Sequence, residues 1–291
     1  MGEFFALLTG AVWASAVILL KRSGEHIPPF SLNLFRVGIS TVLLLLTLLA
    51  VGEVPWGRGE LADYLILFAS GIIAIGISDT LFHLSLNMVG AGISAIIDCL
   101  YSPFVVLLAF VILGERLAPL QLLGMALVLS GVLAVAWQKP AAGAPPRHLA
   151  LGVVWGVLSM ITLALGIVIA KPVLNHAPVL WATAMRQVGC LAVMLPVAAA
   201  APRRREILAV FRPSRMWKFM LPGAILGSYF SLLCWIAGMK YTKVGIAAIL
   251  NQSSTIYILV LAAIFLKEPF TRRKVAASGI ALAGILLVTF S

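Results

Sequence analysis

The sequence predicts an all-α integral membrane protein with ten transmembrane helices, built from two inverted five-helix repeats. Hydrophobic residues make up 62% of the 291 residues and charged residues only 11%, whereas soluble domains are about half apolar and a quarter charged. The apolar residues form ten runs of roughly 20 residues, the length of helix that spans a bilayer. Scarce polar residues also recur in the same order in both halves of the chain, which indicates a duplication.

This composition excludes several other classes of protein. A soluble globule, a disordered chain and a disulfide-rich secreted module are all far less apolar. The net charge is +11, but the basic residues lie in short gaps between apolar runs. That placement indicates membrane orientation and contact with lipid head groups, and no nucleic-acid partner is expected. The three cysteines lie inside apolar runs and are expected to pack as small hydrophobic side chains.

The first five apolar runs have clear boundaries. The first is not a cleavable signal peptide, because it lacks a basic start, carries Glu3 and is followed at once by further runs. Pro28 and Pro29 open the second run, the Gly-rich residues 57–59 precede the third, and a tight turn near 88–90 joins the third to the fourth. These runs cover residues 3–22, 30–51, 62–87, 90–113 and 119–137.

A linker rich in Pro and Gly at 139–148 separates the first five runs from the second five. We therefore expect one repeat at 1–138 and a second at 149–291. The segment 203–215 carries five arginines and is the most basic connection of the chain. The second five runs cover residues 149–170, 179–201, 216–240, 244–266 and 273–290.

The duplication predicts the orientation of the two repeats. Because five spans is an odd number, the second repeat enters the membrane from the opposite face. Inverted repeats place a substrate site near the bilayer midplane and permit alternating access. The matching residues are Lys21 with Lys171, Pro28 with Pro178 and Arg36 with Arg186 at an offset of 150, and Gly92 with Gly245, Glu115 with Glu268 and Gly131 with Gly284 at an offset of 153.

Ionisable residues inside the third and fourth runs are the strongest functional signal. Asp79 and His83 are four residues apart and share a helix face. Asp98 follows the connecting turn at about the distance by which Asp79 precedes it, so both lie roughly 13 Å below the surface. Ser94 and Ser102 lie on the same face as Asp98. These side chains are expected to meet near mid-depth, because ionisable groups in a bilayer face a cavity or a partner.

The second repeat lacks these charges. The equivalents of Asp79, His83 and Asp98 are Leu232, Ile236 and Asn251. An asymmetric cavity follows, with an acidic wall facing a wall of amides and hydroxyls. The polar side chains of the ninth run are Asn251, Gln252 and Thr255, and aromatic surface is expected from Tyr101, Trp235 and Tyr257.

Two interpretations of the charged set remain open. Asp79, His83 and Asp98 either satisfy one another in a buried network or serve in transport. In the second case one carboxylate holds a proton and exchanges it with a cationic amine, giving proton-coupled antiport. His83 then relays protons, because imidazole titrates near neutral pH.

Four further charged residues have alternative roles. Arg36 and Arg186 lie within two turns of the start of a run, so each either snorkels to the membrane interface or contacts the carboxylate of a zwitterionic substrate. Glu115 and Glu268 end their runs and are interpreted as structural pairs with a nearby Arg or Lys. No catalytic set, metal site or cofactor is expected.

These residues resemble the EamA-type branch of the drug/metabolite transporter (DMT) superfamily. The resemblance rests on Trp13 near the middle of the first run, Lys21 at its end, Arg36 early in the second, and the segments 113–117 (LGERL) and 266–270 (LKEPF). The second segment has Lys267 in place of Gly and Pro269 in place of Arg. The resemblance covers the whole chain and implies secondary active transport, commonly export of amino acids or other small metabolites.

The sequence therefore predicts an exporter of a small amine-bearing metabolite. The alternatives are an organic-cation or multidrug exporter and, from another class, an integral-membrane enzyme. Expected partners are the small-molecule substrate and anionic lipid head groups at 203–215, and a monomer suffices. The loops after odd-numbered spans carry 14 Lys and Arg against five in the other loops and ends, which predicts an inner-membrane protein with both termini outside the cytoplasm.

Overall fold

The computed structural model describes residues 2–54, 57, 59–114, 118–136, 146–241 and 244–290, and these ranges are helical without a strand. Helices lie at each of the ten predicted positions. They are α1 (Gly2–Gly24), α2 (Pro29–Ala50), α3 (Leu61–Val89), α4 (Ala91–Asp98 and Tyr101–Leu113), α5 (Pro119–Ala136), α6 (Pro146–His176), α7 (Val179–Ala200), α8 (Trp217–Tyr241), α9 (Val244–Phe265) and α10 (Arg272–Thr289).

The predicted class, an all-α membrane protein, is confirmed. Within the described ranges, six helices are long and apolar enough to cross a bilayer: Gly2–Gly24, Pro29–Ala50, Leu61–Val89, Ala91–Ile112, His148–His176 and Val179–Ala200. Two further helices, Pro119–Val135 and Leu250–Phe265, are apolar but shorter. The number of ten membrane crossings therefore stays a prediction.

Two connections differ from the sequence-based expectation. The end of the predicted linker is helical, since α6 begins at Pro146, while 139–145 lie outside the described residues. The basic segment 203–215 is not an open loop: it contains a short helix (Arg204–Leu208) and a 3₁₀ turn (Ala209–Phe211). Phe211 stacks on Phe35 of α2 with ring centroids 5.7 Å apart, so apolar packing folds this segment against the helices.

Helices of one half pack mainly against helices of the other. The first helix of each half contacts the third and fourth helices of the other half: α1 contacts α8 and α9, and α6 contacts α3 and α4. Glycines allow the close approach: Gly156 of α6 faces Ser85 and Ile97, and Gly227 of α8 faces Ala16.

The last helices of the two halves, α5 and α10, run antiparallel. Gly124 lies against the backbone of Gly284, whereas Gly131, two turns further along α5, lies against Ala277, two turns back along α10. Antiparallel packing of equivalent helices is the relation that the predicted inverted repeat requires.

α3 and α8 each contain a π-helical segment at the same repeat position. The segments are Ile72–Ile77 and Ile225–Phe230, which are 153 residues apart. In α3, side chains donate hydrogen bonds to backbone carbonyls of the π segment. Asn33 Nδ2 donates to Ile75 O (2.8 Å), and Thr80 Oγ1 donates to Gly76 O (2.7 Å). π segments occur often at functional sites, and here Asp79 is the second residue after the end of the first one.

Candidate functional site

A cavity of about 470 Å³ lies between the two halves. Its volume is in the range of small-molecule sites. Side chains from α1 to α4 and from α6 to α10 line it, so neither half builds it alone.

The structure brings most of the sequence-predicted site residues to this cavity. Residues of α3 and α4 supply the carboxylates, and residues of α9 supply amides, as the sequence predicts. Leu232 also lines the cavity, where the first repeat has Asp79. The predicted residues that line it are Arg36, Asp79, Asp98, Tyr101, Ser102, Arg186, Trp235, Asn251 and Gln252.

Four of the predicted residues do not line the cavity, and these expectations are corrected. His83, Ser94 and Thr255 are buried at 1%, 2% and 1% exposure, packed between helices. Thr255 donates to Ala95 O (3.3 Å), which joins α9 to α4. Tyr257 is 39% exposed and is absent from the lining.

Arg36 does not snorkel to the interface. It is 3% exposed, and its guanidinium lies 3.3 Å from the Asp79 carboxylate. Nη1 lies 2.8 Å from His83 Nε2, and Nε donates to Ser228 Oγ at 3.0 Å. Because arginine can only donate, His83 Nε2 accepts and the ring hydrogen of the imidazole lies on Nδ1. Arg36 thus joins α2, α3 and α8. Asp79 and His83 are both bound to Arg36, and within the described ranges no hydrogen bond joins either of them to Asp98.

Asp98 is placed in the cavity by a break in α4. Pro103 has no N–H, and its ring excludes the carbonyl of Cys99, four residues earlier; the helix accordingly stops at Asp98 and resumes at Tyr101. Within the described ranges, the Asp98 carboxylate has no hydrogen-bond or ion-pair partner. The second half has Ile256 where the first has Pro103, and α9 is continuous there.

Arg186 is the complementary charge. It is 3% exposed, its Nε donates to Ser70 Oγ (3.0 Å), and that hydroxyl donates to Gly166 O (2.7 Å). No carboxylate of the described residues lies within 4 Å of it. Ser70 therefore holds the guanidinium of Arg186 in place, while the terminal nitrogens of that guanidinium form no ion pair with a carboxylate of the described residues.

The charges of the cavity thus differ from the predicted excess of acid. Two arginines and two aspartates line it, and Arg36 and Asp79 pair with each other. One anion, Asp98, and one cation, Arg186, remain for a ligand. A buried charge without a partner is costly, so a ligand that supplies both opposite charges is favoured.

Aromatic side chains that sequence reasoning did not assign to the site complete it. Trp13 and Phe82 line the cavity with ring centroids 5.8 Å apart, next to the predicted Trp235. Ser228 and Ser231 of α8 also line it. The sequence could have indicated Ser228 and Ser231, because their hydroxyls lie on an otherwise apolar helix.

The site does not resemble a metal centre. His83 faces Arg36, so it does not join the two aspartates. Among the residues that the structure describes, no three His, Cys, Asp or Glu side chains lie close enough together to hold a metal ion.

The fold and the site define a class: a multi-pass membrane protein with a largely apolar central cavity that contains a few charged side chains and lies between two halves, the arrangement typical of membrane transporters. Comparison with family models identifies the family. The EamA-like transporter family matches residues 1–137 and 150–290. The chain therefore belongs to the EamA-like transporter family, which confirms the resemblance seen in the sequence.

Relatives of similar length agree with this assignment. An uncharacterized transporter of Archaeoglobus fulgidus is 26% identical over 289 residues, covering 99% of this chain and 98% of that protein. A probable terminal-alkyne amino-acid exporter of Streptantibioticus cattleyicolor is 24% identical over 301 residues, covering 97% and 91%. A solved crystal structure with 16% identity shares the fold, with a TM-score of 0.68 and coverage of 99% and 96%.

Proposed function

We propose that this transporter is a proton-coupled exporter of small zwitterionic metabolites, amino acids above all, working by alternating access. One observation carries the proposal: Asp98 and Arg186 line the same cavity, and neither forms an ion pair within 4 Å with an opposite charge of the described residues. An α-amino acid presents one ammonium and one carboxylate. In this proposal the ammonium pairs with Asp98 and the carboxylate with Arg186, whereas a simple amine or a simple acid leaves one of the two side chains unpaired.

The rest of the cavity suits an apolar side chain. Trp13, Phe82 and Trp235 supply aromatic surface, and about 470 Å³ leaves room beyond the two charged groups. The Streptantibioticus relative, which is named a probable exporter of terminal-alkyne amino acids, supports a substrate of this kind.

Asp98 is the proposed coupling residue. In one half-cycle its carboxylate pairs with the ammonium of the substrate. In the other half-cycle it takes up a proton in place of the amine, so proton and substrate use the site alternately. The pairing of Asp79 with Arg36 gives that carboxylate a structural role instead.

An organic-cation exporter is the second candidate. Trp13 and Trp235 favour it, because aromatic faces attract organic cations. Arg186 opposes it, since a cation without a carboxylate leaves the guanidinium unpaired in the cavity.

Uptake into proteoliposomes separates these candidates. Purified protein is tested with neutral amino acids and organic cations, with and without an imposed pH gradient. We expect saturable, gradient-stimulated uptake of neutral amino acids. Equal uptake of carboxylate-free cations supports the second candidate, and uptake indifferent to the gradient contradicts proton coupling.

The proposed location is the inner cell membrane, with both termini on the non-cytoplasmic side. The charge distribution of the loops supports this orientation. The folded basic segment 203–215 then faces the cytoplasmic leaflet, where its arginines contact anionic head groups. A monomer contains the complete cavity.

A further inference from the structure

The connection between α9 and α10 reaches across the molecule to the start of α4. Glu268 Oε1 accepts a hydrogen bond from Ala91 N (2.6 Å), and Oε2 accepts one from Gly92 N (3.0 Å). Lys274 Nζ lies 3.4 Å from Oε2 and is 7% exposed. The sequence predicts that Glu268 pairs with a nearby Arg or Lys, but it does not indicate the hydrogen bonds to the two backbone amides.

The backbone aims Glu268 at this position. Lys267 adopts a left-handed φ of 56°, and the Glu268 amide then donates back to Ala262 O (3.2 Å). Gly114 is the equivalent of Lys267 in the first repeat and has a φ of 69°. Both repeats therefore have the same left-handed turn, although only the first has a glycine there. Glu115, the equivalent of Glu268, lies outside the described residues.

Further hydrogen bonds close the same face. Lys21 Nζ donates to Asn87 O (3.2 Å), and Asn87 Nδ2 donates to Gly24 O (3.0 Å). Arg22 donates to the Phe265 carbonyl. The ends of α1, α3 and α9 are therefore joined around Glu268, which is also within range of electrostatic attraction to Lys21.

An apolar plug separates this face from the cavity. On α1 and α9 the plug residues lie between those at the cavity and those at the closed face. Phe82 of α3 also borders the cavity, and Ala91 of α4 also lies at the closed face. The cavity extends the other way, since Val288 and Thr289 at the far end of α10 line it. The plug consists of the buried residues Ala14, Val17, Ile18, Phe82, Leu86, Ala91, Ala95, Ile258 and Ala262.

The short helix held by Glu268 ends at the proposed coupling residue. Ala91–Asp98 is eight residues long, so about 10 Å separates the two ends. It stops at the break before Tyr101. A change at Asp98 therefore acts on the far end of the same rigid segment that Glu268 holds.

We infer that Glu268 is the gate-locking residue of this face. Its carboxylate holds the start of α4 against the α9–α10 connection, and release of Ala91 and Gly92 opens the cavity to this side. The inference rests on the proposed transport cycle, and it assigns Glu268 a functional role beyond a structural ion pair.

The test is the reactivity of a reporter cysteine in the plug, Ala95→Cys, in purified full-length protein. The maleimide labelling rate at residue 95 is followed by peptide mass spectrometry. Glu268→Gln is expected to raise this rate roughly tenfold, the population effect of losing a charge-assisted hydrogen bond. The control Glu206→Gln removes an exposed glutamate of the basic segment and is expected to leave the rate unchanged.

A second variant and a binding measurement keep the outcomes distinct. Glu268→Asp folds with its charge intact but cannot reach both amides, so it also speeds labelling. If labelling accelerates while leucine and phenylalanine do not bind, the gate stands and the amino-acid assignment fails. If they bind but neither variant changes the labelling rate, the gate is overturned.

Discussion

Residues of the same chemical type have different roles in this cavity because their partners differ. Arg36 and Asp79 neutralise each other at 3.3 Å, whereas Arg186 is held only by Ser70 and Asp98 by nothing in the described chain. In the proposed function the unpaired residues recognise the charges of the substrate, whereas the Arg36–Asp79 pair stabilises the fold.

Substitution of the two aspartates separates these roles. Asp79→Asn leaves Arg36 buried without an anion, so we expect a loss of roughly 2 kcal/mol in the free energy of unfolding, seen as a lower melting temperature in detergent. Asp98→Asn is expected to keep the melting temperature and to abolish gradient-driven uptake. Unchanged proton-driven transport by Asp98→Asn would remove Asp98 from the mechanism.

Substitution of Lys267 tests how much its left-handed backbone conformation reduces the stability of the protein. A left-handed φ costs a residue with a Cβ atom about 1 kcal/mol, and glycine avoids this cost. Lys267→Gly is therefore expected to raise the melting temperature, and Lys267→Ala, which keeps the Cβ atom, is the control. A lower melting temperature for the glycine variant would contradict the strain argument.

The sequence predicted which residues line the cavity better than it predicted their partners. Asp79 and His83 do share a helix face, as their spacing requires, since both contact Arg36. The neighbour that covers this face depends on how α2 and α3 pack, and one sequence does not contain that information.

At the scale of elements, the contact between α3 and α7 is set by a glycine. A Cβ atom at Gly71 would collide with the carbonyl oxygen of Arg186, so the backbone carrying Arg186 lies directly on α3. The helix positions followed from the apolar runs. The π segments and the break in α4 did not. The π segments have no distinct composition, and a proline such as Pro103 does not by itself identify a break, since Pro172 and Pro196 lie inside continuous helices.

Gly71→Ala is expected to destabilise the protein by about 1–3 kcal/mol and to weaken substrate binding, since it displaces Arg186. Gly279→Ala is the matched control, because nothing lies within 4 Å of a Cβ atom there and alanine favours a helix. Equal melting temperatures for the two variants would show that α3 and α7 do not pack this closely.

At the scale of the whole molecule, the contacts between helices agree with the predicted duplication, and the cavity shows an asymmetry between the two halves. Equivalent helices exchange partners between halves, yet only the first half has Pro103 and the two aspartates. The inverted arrangement was predicted from an odd number of spans per repeat, and the antiparallel packing of α5 against α10 agrees with it. Which charges remain free in the cavity depends on both halves together, so it required the structure.

The orientation has its own test. In intact cells, Arg204→Cys is expected to be protected from a membrane-impermeant maleimide, and it should react in inverted vesicles. Labelling from outside intact cells would place the basic segment on the opposite face and reverse the predicted topology.

The most direct test of the central claim is calorimetric binding of three matched ligands: leucine, its decarboxylated amine 3-methylbutylamine and its deaminated acid 4-methylpentanoate. Because each analogue leaves one charge of the cavity unpaired, leucine is expected to bind at least about tenfold more tightly than either. Arg186→Met should remove the preference over the amine, and Asp98→Asn the preference over the acid. If the wild-type protein binds the amine as tightly as leucine, the cavity does not recognise a zwitterion.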